Sequence, residues 1–202
     1  MTRRIVALAG AIASLAVSGP APAKTDWNAA LDRGEVLIHS RRIPNQEEPE
    51  VVMKAVIDAS PARVFALLAD CAGYVRSMPR IKSAKVVSRG QRSDVCTVTV
   101  DMPFPYSDMT STCRSTNVVE GQRMVRRWTL LSGDYRVNQG SWELRPFGGD
   151  GQRTLVVYRV IAVPKAWVPT WVRRYAQKRS LPETIARFRE VLGRGGAGPG
   201  TT

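Results

Sequence analysis

Between residues 82 and 163 apolar and polar positions alternate in six short runs: "KSAKVVSR", "DVCTVTVDM", "STCRSTNVV", "MVRRWTLL", "YRVNQGSWELRP" and "RTLVVYRVIAV". The turn-like "RGQRS", "PFPYSD", "EGQ", "SGD" and "FGGDGQ" separate them, which predicts an antiparallel meander. Upstream, "GEVLIHSRRI" sets Val36, Ile38 and Ser40 against Glu35, Leu37 and His39, and "VVMKAVIDA" follows a Pro/Glu-rich turn, adding two strands. Trp27 to Leu31 supports one helical turn. Val64, Leu67, Leu68 and Cys71 fall at helical spacing, with Ser60 as N-cap and Pro61 at the first position, so a helix is predicted over 61–69. Gly73 and Pro79 close that segment. After Pro164, "AWVPTWVRRYAQKRSLPETIARFREVLGRG" reads as a helix with Trp171, Tyr175, Ile185, Phe188 and Leu192 near one face. Ser180-Leu181-Pro182-Glu183 has capping-box spacing and predicts a kink or restart there.

The ends change the domain picture. Met1-Thr2-Arg3-Arg4 precedes an apolar run from Ile5 to Val17 and a small-residue stretch, "SGPAPA". The run is shorter than the roughly 20 residues of a bilayer span, so residues 1–23 read as a cleaved export signal. Residues 24–192 suit one domain, and 193–202, "GRGGAGPGTT" in the main, read as a disordered tail. A periplasmic or secreted protein is expected. Lys and Arg number 30 against 17 Asp and Glu, a formal net charge of +13, of which the leader removes only Arg3 and Arg4. In an exported protein an anionic membrane surface outranks nucleic acid as the partner of such a charge. The plain alternative is an Arg-rich composition with no such role.

Candidate chemistry is sparse. His39 is the only histidine and falls on an expected edge strand, with nothing beside it to form a triad. Gly148-Gly149-Asp150-Gly151 reads as a hairpin turn, because no helix follows it to make a phosphate cradle. Asp101, Asp108 and Glu143 are available carboxylates but carry no acid/base pattern. No catalytic set, metal site or cofactor is expected. Cys71, Cys96 and Cys113 lack metal or redox spacing. Cys96 and Cys113 are equidistant from a hairpin centre between Phe104 and Pro105, which places them opposite each other and predicts a Cys96–Cys113 disulfide with Cys71 free. Three inert core thiols are the alternative.

Strands, short helices, a meander and a closing amphipathic helix make an α+β order. "LLADCAGYVRSMPRI", "DMPFPYSD", "NQGSWELRP", "TLVVYRVIAVP" and "VPTWV" resemble START-like (SRPBCC) proteins of the polyketide cyclase/dehydrase and lipid-transfer group. One departure stands out: Met109-Thr110 occupies the place where lipid-transfer members carry Arg-Asp. The resemblance implies a helix-grip fold, a curved antiparallel sheet wrapped around the C-terminal helix. It also implies a cavity lined by Leu68, Tyr74, Met78, Val98, Val100, Met102, Trp142, Val157, Trp171 and Tyr175. The expected protein is a monomer and no enzyme; it binds a lipid or other hydrophobic small molecule and, by extension, carries it between membranes. Trp167, Arg173, Arg174 and Lys178 are the expected membrane contact. The alternatives are an aromatic cyclase/dehydrase-type enzyme using the same cavity, and a basic interaction module with a filled core.

Overall fold

The computed structural model describes residues 26–46 and 48–194, the side chains of 170–177 and 194 excepted. The expected signal at 1–23 and the tail beyond Arg194 lie outside the described residues. Helix α1 (Trp27–Asp32), capped by the Asp26 carboxylate, leads into β1 (Leu37–Arg41) and β2 (Glu50–Ile57). Next come α2 (Pro61–Ala69), a 3₁₀ turn at Cys71–Gly73 and α3 (Tyr74–Ser77). The meander is β3 (Ile81–Arg89), β4 (Ser93–Val100), β5 (Met109–Glu120), β6 (Arg123–Gly133), β7 (Tyr135–Pro146) and β8 (Thr154–Pro164). Helix α4 (Thr170–Arg194) closes the chain.

The strands form one eight-stranded antiparallel sheet in the order β1-β2-β8-β7-β6-β5-β4-β3. Because β2 pairs with the last strand of the meander, the connection from β2 to β3 must cross from the β2 side to the far edge. That crossing is α2, the 3₁₀ turn and α3, which together roof the inner face. Strand parity decides which residues look inward. On β2 these are Val51, Met53, Ala55 and Ile57, and Leu181, Ile185, Phe188 and Leu192 of α4 meet them with Val64 and Leu68 of α2. Burying a Leu, Ile or Phe side chain contributes about 1.5–3 kcal/mol, so this packed half holds the helix on the sheet. Arginines fasten it further: Arg189 donates to the carbonyls of Val56 (2.7 Å) and Gly34 (3.1 Å), and Arg63 to that of Leu192 (2.7 Å).

Three local expectations are corrected. Ser60 occupies the N-cap of α2 but makes no side-chain cap bond; it holds the helix start through its carbonyl, which accepts from Val64 N–H at 3.1 Å. No restart occurs at Ser180, since α4 runs unbroken through Pro182. The apolar packing of Leu181 and Ile185 on either side outweighs the one backbone bond that proline removes. The helix also continues through Gly193 to Arg194, past the expected boundary at residue 192.

Candidate ligand-binding site

The inner face has two unlike halves. Where α4 lies on β2 and β8 it is solid, with Leu144, Val156, Ile185 and Phe188 at 0% exposure. From there a line of aromatic rings leads across the sheet: Phe188 to Trp142 (5.7 Å between centroids), Trp142 to Tyr158 (4.2 Å) and Tyr158 to Trp128 (5.7 Å, stacked). Register explains the line. Trp142 pairs with Tyr158, and Trp128 pairs with Gly140. A Cβ at Gly140 would stand 2.1 Å from the Arg159 carbonyl and 2.5 Å from the Trp128 ring, so only glycine lets the indole lie over β7. The indole N–H then donates to Asn138 Oδ1 at 3.0 Å.

Elsewhere on the inner face burial is mixed: Cys96, Met109, Ser111 and Ser115 are buried, while Val98, Val100, Cys113, Leu130, Asn138 and Val160 are half-buried, Val160 against the core. Tyr135 joins them, because the irregularity between its pairing with Pro164 and that of Val137 with Val163 reverses its side. Burial pushes the phenols of Tyr158 and Tyr135 up from their ordinary values, and does the same to the Cys113 thiol. The wall is thus mainly apolar, its polar groups being the Asn138 amide, the two phenols and the Cys113 thiol. The two clefts enclosed by described residues are small, about 160 and 110 Å³. Both fall below the roughly 300–1,000 Å³ of a small-molecule pocket, and neither is lined by Val98, Val100, Leu130 or Tyr158.

Under the roof the same face is charged. Arg126, 2% exposed, makes two bonds to the Asp94 carboxylate (2.7 and 2.8 Å) and one to Asn117 Oδ1 (2.9 Å). Tyr74 comes down from α3, its hydroxyl donating to the Leu68 carbonyl at 2.6 Å. Burial opposes the Arg126 charge, but the Asp94 bond and the Tyr74 hydroxyl outweigh it and the guanidinium pKa rises. Burial likewise raises the Tyr74 phenol, against the pull of Arg126. Sequence reasoning passed over Arg126, Asp94 and Asn117. The signal was strand parity: Arg126 lies between Met124 and Trp128 on one face, and Asp94 shares a face with Cys96, Val98 and Val100.

The structure sorts the expected cavity residues. Val98, Val100 and Trp142 share the inner wall; Tyr74 and Met78 come from the roof, Met78 against the core; Met102 stands half-buried just past β4. Leu68 is wholly inside the solid half. Val157 is a correction. Its neighbours Val156 and Tyr158 take the inner face, so Val157 pairs with Glu143 and Lys54 on the outer one. "LVVYRVIAV" is apolar at both parities, which left its face open. The side chains of Trp171, Arg173, Arg174 and Tyr175 lie outside the described ones. Glu143 lies on the outer face of β7, its carboxyl held low by Arg123 against the cost of burial, with Arg145 reinforcing.

The cysteine expectation is half right. Cys96 and Cys113 are directly opposed in the β4–β5 register, as the hairpin centre required. The disulfide, however, is Cys71–Cys96, and Cys113 is free. Hairpin geometry fixed who stands beside Cys96 in the sheet and was silent about the roof above it.

The open end of the wall is a continuous rim. Backbone bonds of 2.8 Å join Asp101 to Arg80, Asp134 to Thr110 and Lys165 to Asp134. Here Phe104, in the loop between β4 and β5, is 96% exposed and Trp167, between β8 and α4, 83%; Leu131 near the end of β6 is exposed too. Lys178 is exposed on α4.

A family model described as polyketide cyclase/dehydrase and lipid transport matches residues 57–189, well over half of the chain. The chain belongs to that family. Its fold recurs in solved structures. A STAR-related lipid transfer protein from Xanthomonas axonopodis is 16% identical, with a TM-score of 0.67 over 78% of this chain and 93% of that one. Human STARD10 is 11% identical, with 0.67 over 79% and 69%. The Zhui aromatase/cyclase from Streptomyces sp. R1128 is 21% identical, with 0.55 over 77% and 93%. No curated protein matches the sequence. As a family member, the chain has the helix-grip architecture on which both hydrophobic-ligand binding and cyclase-type chemistry are built.

Proposed function

We propose that this is an exported, non-enzymatic protein that binds a lipid or similar hydrophobic molecule along the half-buried inner wall and carries it between membranes. The observation that carries the reading is the contrast between the two halves of one sheet face. A chain selected only for stability would extend the Leu181–Leu192 packing across the wall; here Val98, Val100 and Leu130 stay partly open. A 16-carbon chain buried there would gain on the order of 12 kcal/mol before association costs. The cyclase alternative finds less support. The inner-wall phenols and thiol are pushed up by burial, away from the neutral range that suits a proton shuttle, and His39 stands exposed on the edge strand β1. Export is read from residues 1–23, and the periplasm is the compartment that reading favours.

Native mass spectrometry of protein purified from its own envelope, followed by organic extraction, tests this. An adduct of lipid mass is expected. Protein that is empty and also refuses fluorescent fatty acid and sterol probes would be an interaction module instead.

The rim is the surface we assign to the membrane. Trp167 joins an apolar ring to a polar N–H, which suits the bilayer interface, and the apolar Phe104 ring is fit to enter the hydrocarbon beneath it. Arg173, Arg174 and Lys178 follow Trp167 in sequence, and each basic group near an anionic surface contributes about 1 kcal/mol, screened by salt. Replacing the three by Gln is expected to weaken binding to anionic vesicles and flatten its salt dependence while ligand uptake in detergent persists. Vesicle binding equal to wild type would leave α4 a purely structural helix.

A further inference from the structure

Cys96 has two sulfur neighbours of different kinds. It is bonded to Cys71 of the roof, and directly across the β4–β5 ladder, on the same inner face, stands the free thiol of Cys113. Opposed residues in an antiparallel pair have Cβ atoms about 4.5–5.5 Å apart, and a disulfide needs about 3.5–4.5 Å. A small closing of the pair is all that a second bond requires.

We propose that the three cysteines form an intramolecular exchange relay that unfastens the roof from the sheet. The Cys113 thiolate attacks Cys96 Sγ, a Cys96–Cys113 bond forms, and the Cys71–Cys96 bond breaks. Cys71 leaves as a thiolate and takes up the proton that Cys113 gave. One disulfide and one thiol are present before and after, so no oxidant or reductant is consumed.

What changes is the location of the crosslink. In the first state it ties the 3₁₀ turn between α2 and α3 to β4. In the second it lies wholly within the β4–β5 hairpin, and the roof is held only by packing and by polar contacts such as the bond from Arg187 Nε to the Arg76 carbonyl, 2.9 Å. The crosslink ends beside the charged cluster, since Asp94 is two residues before Cys96 on the same face. Loosening the roof would therefore open the inner face from its polar end. That consequence rests on the ligand reading above; the exchange itself does not.

The surroundings of Cys113 set the speed. Burial pushes its thiol up, the Ser111 hydroxyl hydrogen-bonded to it works the other way, and the Tyr135 phenol of β7 acts on the same space. Thiolate is scarce at neutral pH, so exchange is slow there and quickens as the solution becomes alkaline.

The sequence supplies a clean readout. Trypsin cuts after Arg63 and Arg76, releasing residues 64–76 with Cys71, and after Arg92 and Arg114, releasing 93–114 with both Cys96 and Cys113. The oxidised full chain is held at about pH 9, above the ordinary thiol range. It is then pulsed with iodoacetamide while folded, quenched with acid and digested without reductant. The starting state gives the two peptides crosslinked, with alkyl on Cys113. The exchanged state gives 64–76 alone, alkylated at Cys71, and 93–114 with an internal bridge. The second pattern is expected to grow with time at a rate independent of protein concentration, and to be missing in Cys113→Ser.

Crosslinked peptides in every molecule after prolonged incubation overturn the relay, as does a rate proportional to concentration, which means exchange between molecules. Cys71 is 1% exposed in the bonded state. If it takes alkyl only after denaturation, the bond has moved without freeing the roof, and the unfastening is wrong. The Cys71→Ser chain is expected to hold a Cys96–Cys113 bridge and no free thiol; two free thiols in it also overturn the relay.

Discussion

Replacing Asp94 by Ala is expected to cost about 3–5 kcal/mol of stability and to lower the melting temperature by on the order of 10 °C. The reason is what it leaves behind. Arg126 is 2% exposed and spends two of its bonds on Asp94, while Asn117 offers it one oxygen. Without the carboxylate a guanidinium remains in a site walled by β4, β5 and the roof, with most of its donors unmet. Removing both charges with side chains of similar volume, Asp94→Val with Arg126→Met, removes the desolvation cost along with the attraction, and is expected to recover most of the loss. Thermal melts of the wild type, the two single variants and the double variant make the comparison. An Asp94→Ala melt within a degree or two of wild type would show that the pair does not hold the roof region, and that Arg126 reaches water.

The same pair shows where the sequence stopped being legible. Alternation located all six strands of the meander, and for "YRVNQGSWELRP" and the helix at 61–69 it located both ends, because period and punctuation are local properties. Face assignment followed wherever one parity was apolar and the other polar, as at Val98 and Val100. It failed in two opposite ways. At Val157 both parities are apolar, so nothing local distinguishes inside from outside. At Arg126 the parity was readable, but a charge on an inward position makes sense only with its counter-ion, and Asp94 lies on β4, separated from β6 by β5. The disulfide failed for a related reason: a hairpin's symmetry finds cross-strand neighbours, whereas Cys71 reaches Cys96 from a separate layer. The restart expected at Ser180 did not occur: the local cost of one backbone bond was visible, and the packing of Leu181 and Ile185 was not.

Replacing Val98 by Trp is expected to weaken uptake of a fluorescent fatty acid at least tenfold while shifting the melting temperature by no more than a few degrees. Val98 is half-buried on the inner wall, flanked across the ladders by Ala84 on β3 and Ser111 on β5, both small. If the wall borders room meant for a ligand, an indole entering that room displaces the probe and meets no packed neighbours, so folding is scarcely affected. If instead the wall is ordinary core, the added ring overpacks it, which costs about 1–3 kcal/mol and shows as a clear loss of stability. Uptake and melting, measured on the same preparation, therefore move in different combinations under the two readings. Lost uptake with an intact melt places the ligand against β4. A destabilised protein that still takes up the probe at wild-type affinity would place the ligand elsewhere and make the half-open wall a matter of loose packing alone.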